Sequence, residues 1–143
     1  MENNYKELLI SARDLLTDIY HYPEERVLVD YSVLLKDGST FKADLVLTSD
    51  KLIPQGIVFA TSGEIPVEQV KTILAQSSLQ FGVVFQMKAD AYAEFWGIEK
   101  KSNIFTGKLS FESIPDYPNP NKFANVNFVM AVIESIFTLM QGG

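Results

Sequence analysis

The sequence predicts a mixed α/β domain: a central sheet flanked by helices, with an extra helix at the C-terminal end. Three observations predict it. Apolar residues recur at helical spacing from Tyr5 to Ile19. Two alternating runs follow, 26–35 and 40–48, split by Asp37-Gly38, a strong hairpin signal. A continuously apolar segment, Gly56-Ile-Val-Phe-Ala-Thr-Ser62, then leads into a second helical stripe. Helical and strand periods in this order give helices packed on a sheet.

Each element has a local cause. Tyr5, Leu8, Leu9, Ala12, Leu15, Leu16 and Ile19 share one helical face, and Glu7, Arg13, Asp14 and Asp18 fall mostly opposite. The spacing predicts a helix over 4–20. Pro23 stops it, because proline has no N–H for the helical ladder. Val27, Val29, Tyr31, Val33 and Leu35 alternate and are expected on one face of a strand over 26–35. Phe41, Ala43, Leu45 and Leu47 are expected on one face of its partner over 40–48. Ser49 to Gln55 reads as a polar loop containing Pro54. The strand over 56–61 lacks alternation, as a central strand covered on both faces does. Ser62-Gly63-Glu64-Ile65-Pro66 leads into a helix over 66–78, with Pro66 near its first turn. Val67, Val70, Ile73 and Leu74 are its apolar stripe. Phe81-Gly-Val-Val-Phe85 opens a buried strand over 81–87, and another strand covers 92–98. Residues 102–113 add short edge strands, and Pro115-Asp-Tyr-Pro-Asn-Pro120 is a proline-rich connector.

The last helix is expected over about 122–140. Phe128, Val129, Val132, Ile136, Phe137 and Met140 dominate a broad apolar surface, and only Asn127, Glu134, Thr138 and Gln141 form a polar stripe. One stripe suffices for packing on a sheet, so the excess implies burial on more than one side. A homodimer through this helix is the expected cover, since large exposed apolar patches are uncommon on monomers and twofold pairing is the commonest remedy.

Composition bounds the role. The 143 residues suit a single domain, 1–143. A chain of this size buries roughly 70% of its unfolded surface. With 47% hydrophobic and 21% charged residues it is globular rather than disordered. The net charge of −6 and the scattered cations disfavour nucleic acid, because phosphate backbones attract clustered positive charge. Tyr92, Phe95 and Trp96 lack flanking cations and read as packing residues rather than a base-stacking platform. Cysteine is absent, which excludes disulfides and thiolate metal sites and fits a cytoplasmic protein. No secretory signal is evident at the start, and no apolar run approaches the roughly 20 residues that span a bilayer.

Several short motifs resemble those of a known family. They are Tyr22-Pro23-Glu24-Glu25-Arg26-Val27, Val29-Asp30-Tyr31, Phe41-Lys-Ala-Asp-Leu-Val46, Glu68-Gln69 and Phe81-Gly-Val-Val-Phe85. Their order resembles the restriction-endonuclease-like fold, and more narrowly the N-terminal nuclease domain of type I restriction enzyme R subunits, over residues 5–118. The resemblance implies a site. Asp44 matches the first acidic metal ligand. The acid of the third strand falls at Ala60, and the lysine that polarises water falls at Ser62. Gln69 matches a helix glutamine, while the tyrosine four residues on is Ile73. A phosphodiesterase of this kind needs its ion to activate water and to stabilise the developing oxyanion. With neither acid nor lysine from Ile57 to Gly63, the reaction is not expected.

The sequence therefore predicts a catalytically silent nuclease-fold domain, acting as a structural or protein-interaction module and derived from a restriction-modification system. Asp44, Ala60, Ser62 and Gln69 are its vestigial positions, with no catalytic residue, bound metal or cofactor. One alternative is a magnesium-dependent DNA endonuclease with migrated residues: Asp44, Glu64 or Glu68, and Lys42, which shares a strand face with Asp44. The other is a non-catalytic nucleic-acid-binding module. His21, the sole histidine, has no second His or Cys to form a transition-metal site and fits a helix C-terminus instead. Ser62-Gly63 reads as a helix-entry turn, since no phosphate-loop pattern surrounds it.

Overall fold

Spatial order follows chain order in a single six-stranded mixed sheet, seen in a computed structural model that describes residues 2–88 and 93–120. Strands β1 (Val27–Leu34), β2 (Thr40–Thr48) and β3 (Pro54–Thr61) form an antiparallel meander. Strand β4 (Phe81–Met87) is parallel to β3, and β5 (Ala93–Ser102) and β6 (Leu109–Ser113) continue antiparallel. The single parallel step is the one bridged by helix α2 (Val67–Ala75), because parallel neighbours need a long crossover. Helix α1 (Glu2–Asp14) precedes the sheet and runs into a π-helical turn over Leu15–Ile19.

The two helices cover opposite faces. Leu8, Ala12 and Leu16, spaced by four, pack with Val58, Ala60, Val83 and Phe85 in one core. Val70, Ile73 and Leu74 of α2 pack with Val46, Ile57 and Val84 in the other. Strands β3 and β4 alternate between the two cores, which explains their continuous apolar character. Gly82 brings α2 close to the sheet: a Cβ there would lie 2.4 Å from Val70 Cγ1.

The hairpin, the second helix entry and the mixed α/β architecture follow the sequence reading. Gly38 has φ +89, and Asp37 Oδ1 accepts the Ser39 N–H at 2.8 Å. Pro66 caps α2, and its carbonyl accepts the Val70 N–H. Several boundaries differ. The helix expected over 4–20 loses α geometry at Asp14, and the one expected over 66–78 ends at Ala75. The 49–55 loop is shorter than expected, because β3 begins at Pro54. Ser49 Oγ accepts the N–H groups of Lys51 and Ile53, closing it tightly. The 102–113 segment is one hairpin, with β5 extended to Ser102. Tyr92 and the helix expected over 122–140 lie outside the described residues.

The largest correction concerns faces. Val27 joins the core under α1, whereas Tyr31, Val33 and Leu35 belong to the core under α2. Likewise Leu45 and Leu47 sit under α1, whereas Phe41 and Ala43 sit under α2. Both strands change face between the pairs Val29–Leu45 and Tyr31–Ala43. Asp30 lies there with φ +53, a left-handed conformation that breaks the pleat. Strict alternation through 27–35 and 41–47 therefore does not hold.

The connector after β6 is pinned rather than loose. Tyr117 enters the core under α1 and stacks near Tyr20 and Phe95, with ring centroids 4.9 and 4.8 Å away. Tyr22 Oη donates to the Pro118 carbonyl at 2.6 Å. The buried Arg26 guanidinium donates to the carbonyls of Thr48 and Pro120 and lies over the Tyr22 ring. These carbonyls and the ring compensate a charge that burial would otherwise penalise.

Candidate functional site

The face change decides where Asp44 points. Consecutive strand residues normally face opposite ways. Here Asp44 and Leu45 both line a small open depression on the α1 side, with Val29 of β1 and Leu9, Ile10 and Arg13 of α1. Asp44 is the one carboxylate among these lining residues, and Arg13 the one cation.

The neighbouring strand brings no partner ligands. Leu45 pairs with Val58, and β3 presents Val58 and Ala60 to the α1 side. Ala60 is buried and offers only a methyl group. Ser62 is exposed beyond the strand, in a turn where the Gly63 N–H donates to Thr61 Oγ1 at 3.0 Å. The Gly63 carbonyl accepts from Gln86 Nε2 at 2.8 Å, so this is a hydrogen-bonded helix-entry turn. Gln69 is exposed on α2.

The migrated set is no better assembled. Lys42 is exposed on β2, Glu64 is exposed in the loop before α2, and Glu68 is exposed in its first turn. Helix α2 packs on the face opposite α1, away from the depression that holds Asp44. Among the described residues, no group of three or more His, Cys, Asp or Glu is placed to hold a metal ion. Magnesium needs near-octahedral oxygen ligands, and one carboxylate that shares its depression with aliphatic groups and Arg13 is a poor start.

His21 is exposed, with φ +62, directly after the π turn. It takes the left-handed position at which helices end. Trp96 is half-buried against the α2-side core, and Phe95 against the α1-side core, so both pack as expected.

Two cations with backbone partners escape the sequence reading: the buried Arg26, described above, and the half-buried Lys100. The Lys100 ammonium donates to the carbonyls of Leu74 and Ser77 at 2.8 and 2.9 Å, closing the C-terminal end of α2. No sequence signal separates Lys100 from the exposed Lys101 beside it except parity on the strand. Comparison with protein-family models, curated proteins and solved structures finds no match to this chain. No helix among the described residues is long and apolar enough to cross a membrane.

Proposed function

We propose that this chain is a catalytically silent domain of the restriction-endonuclease-like fold, acting through protein contacts or as a structural module. The observation that carries the reading is the α1 face of β3, where Val58 and Ala60 stand opposite the strand bearing Asp44. The order of helix, three antiparallel strands, helix and parallel strand supports the fold. The net charge of −6 supports protein rather than nucleic-acid contacts. Descent from a restriction-modification system belongs to the same proposal.

The test is incubation with plasmid and single-stranded DNA while magnesium or manganese is titrated. No cleavage is expected. Metal-dependent cleavage that disappears in Asp44→Ala would overturn the silent-domain reading in favour of a migrated site.

A further inference from the structure

We infer that Lys100 is an acylation site: its side-chain amine takes an acyl group from an acyl phosphate, and in doing so releases the C-terminal end of α2. Two elements place the amine. Strand β5 turns Lys100 toward α2, as it does Trp96 and Ile98, which join the core under that helix. There Nζ donates to the carbonyls of Leu74 and Ser77 at 2.8 and 2.9 Å. An ammonium has three N–H donors, and these carbonyls take two. The third carries the proton that ionisation removes. The neutral amine therefore keeps both hydrogen bonds, more weakly than the ammonium does, and its lone pair takes the direction of the third N–H. Lys100 is half-buried, so part of its surface stays in solvent.

The surroundings favour a neutral amine and an anionic reagent. Burial pulls Lys100 down to about 8, and the charge of Lys36 adds to the effect. Lys36 is exposed after β1, and its backbone N–H donates to the Gln76 carbonyl, beside the two carbonyls that hold Lys100. Asp37 follows it, with its carboxylate taken by the Ser39 N–H and hydroxyl. From α2, Lys71 lies over the ring of Phe111, the cross-strand partner of Lys100 on β6. Glu99, Lys101 and Glu112 alternate to the other face, where Glu99 and Lys101 pair at 3.5 Å. A phosphate leaving from Lys100 thus departs beside the Lys36 cation. The lone pair attacks the acyl carbon, the carbon–oxygen bond to phosphate breaks, and the proton displaced from nitrogen leaves with the phosphate. Nothing is oxidised or reduced. The resulting amide has one N–H, so at least one of the Leu74 and Ser77 carbonyls loses its donor at the end of α2.

The test is incubation of the folded protein with acetyl phosphate near neutral pH, with acetylation followed at every lysine by peptide mass spectrometry. Lys100 should react on the order of tenfold faster than the exposed Lys101 and Lys108, because more of it is neutral. In urea the three should react alike. Equal or slower reaction of Lys100 in the folded chain would overturn the inference, and this measurement needs no variant. Lys36→Met should slow Lys100 more with acetyl phosphate than with a neutral acetyl thioester. Equal slowing would refute the choice of acyl phosphate. In the acetylated protein the last amides of α2 should exchange with deuterium faster, and unchanged exchange would rule out release of the helix end.

Discussion

At the scale of single residues, Lys100 and three tyrosines set how stability depends on pH. Burial pulls the Lys100 ammonium down to about 8 from an ordinary 10.5, and nearby Lys36 adds to the effect. The carbonyls of Leu74 and Ser77 act the other way, by holding the charged form. Unfolding then takes up a proton between about pH 8 and 10.5, so stability climbs as pH rises through that window. The tyrosines oppose it at higher pH. Burial raises Tyr22 and Tyr117, and burial with the Asp116 hydrogen bond pushes Tyr20 up to about 12, against an ordinary 10.0. Their contribution is complete below pH 10.0 and is lost above it, as the unfolded phenols ionise first. Urea unfolding across pH should show stability rising from about pH 8 and turning over near pH 10. In Lys100→Met the rising limb should vanish while the falling limb stays. A flat parent profile over the same range would mean that the two carbonyls offset desolvation.

At the scale of elements, the β1–β2 ribbon and the α2–sheet contact each carry a tight constraint. Asp30 holds φ +53, where a β-branched side chain is strongly disfavoured and glycine is at ease. Asp30→Val should cost about 1–2 kcal/mol in equilibrium unfolding, and Asp30→Gly should be tolerated. Equal losses in both would mean that the side chain, not the backbone, holds the face change. Gly82→Ala drives a methyl to 2.4 Å from Val70, so α2 must shift outward. A loss of about 1–3 kcal/mol is expected from such overpacking, and Val70→Ala added to Gly82→Ala should recover part of it. These two positions also mark what the sequence made legible. Periodicity located the elements, since a stripe such as Leu8, Ala12 and Leu16 reports burial directly. It failed at Asp30, because a left-handed residue leaves no compositional trace when the residue is not glycine. Asp44 was found as a candidate by motif, yet its orientation depends on that same irregularity. Arg26 and Lys100 stayed hidden because their partners are backbone carbonyls, which carry no sequence signal at all.

At the scale of the whole molecule, the question is how much apolar surface the chain can cover by itself. Helices α1 and α2 each take one face of the sheet, and the Pro115–Pro120 strap closes one end of the α1 side. Among the described residues, the exposed large apolar side chains are dispersed over several elements, from Ile19 after α1 to Phe105 at the β5–β6 turn. Single exposed residues of this kind are normal on a soluble domain. Residues 122–140 are different in amount. At helical spacing Phe128, Val132 and Ile136 make one stripe, and Val129, Ile133, Phe137 and Met140 are expected on the adjoining side. Hydrophobic burial is worth roughly 25 cal/mol per Å², so a surface that is apolar over more than one stripe is expected to favour association. Twofold pairing covers the same patch on both copies at once. The net charge of −6 opposes it only weakly, because at physiological salt repulsion between surface charges is screened beyond about 8 Å. Sedimentation at micromolar concentration should therefore show a dimer of the 16.1 kDa chain, dissociating on dilution. Ile133→Lys with Phe137→Lys should leave a monomer of unchanged circular dichroism, since both lie outside the Phe128, Val132 and Ile136 stripe. A parent that stays monomeric as it is concentrated would place the whole apolar surface inside one chain and remove the dimer.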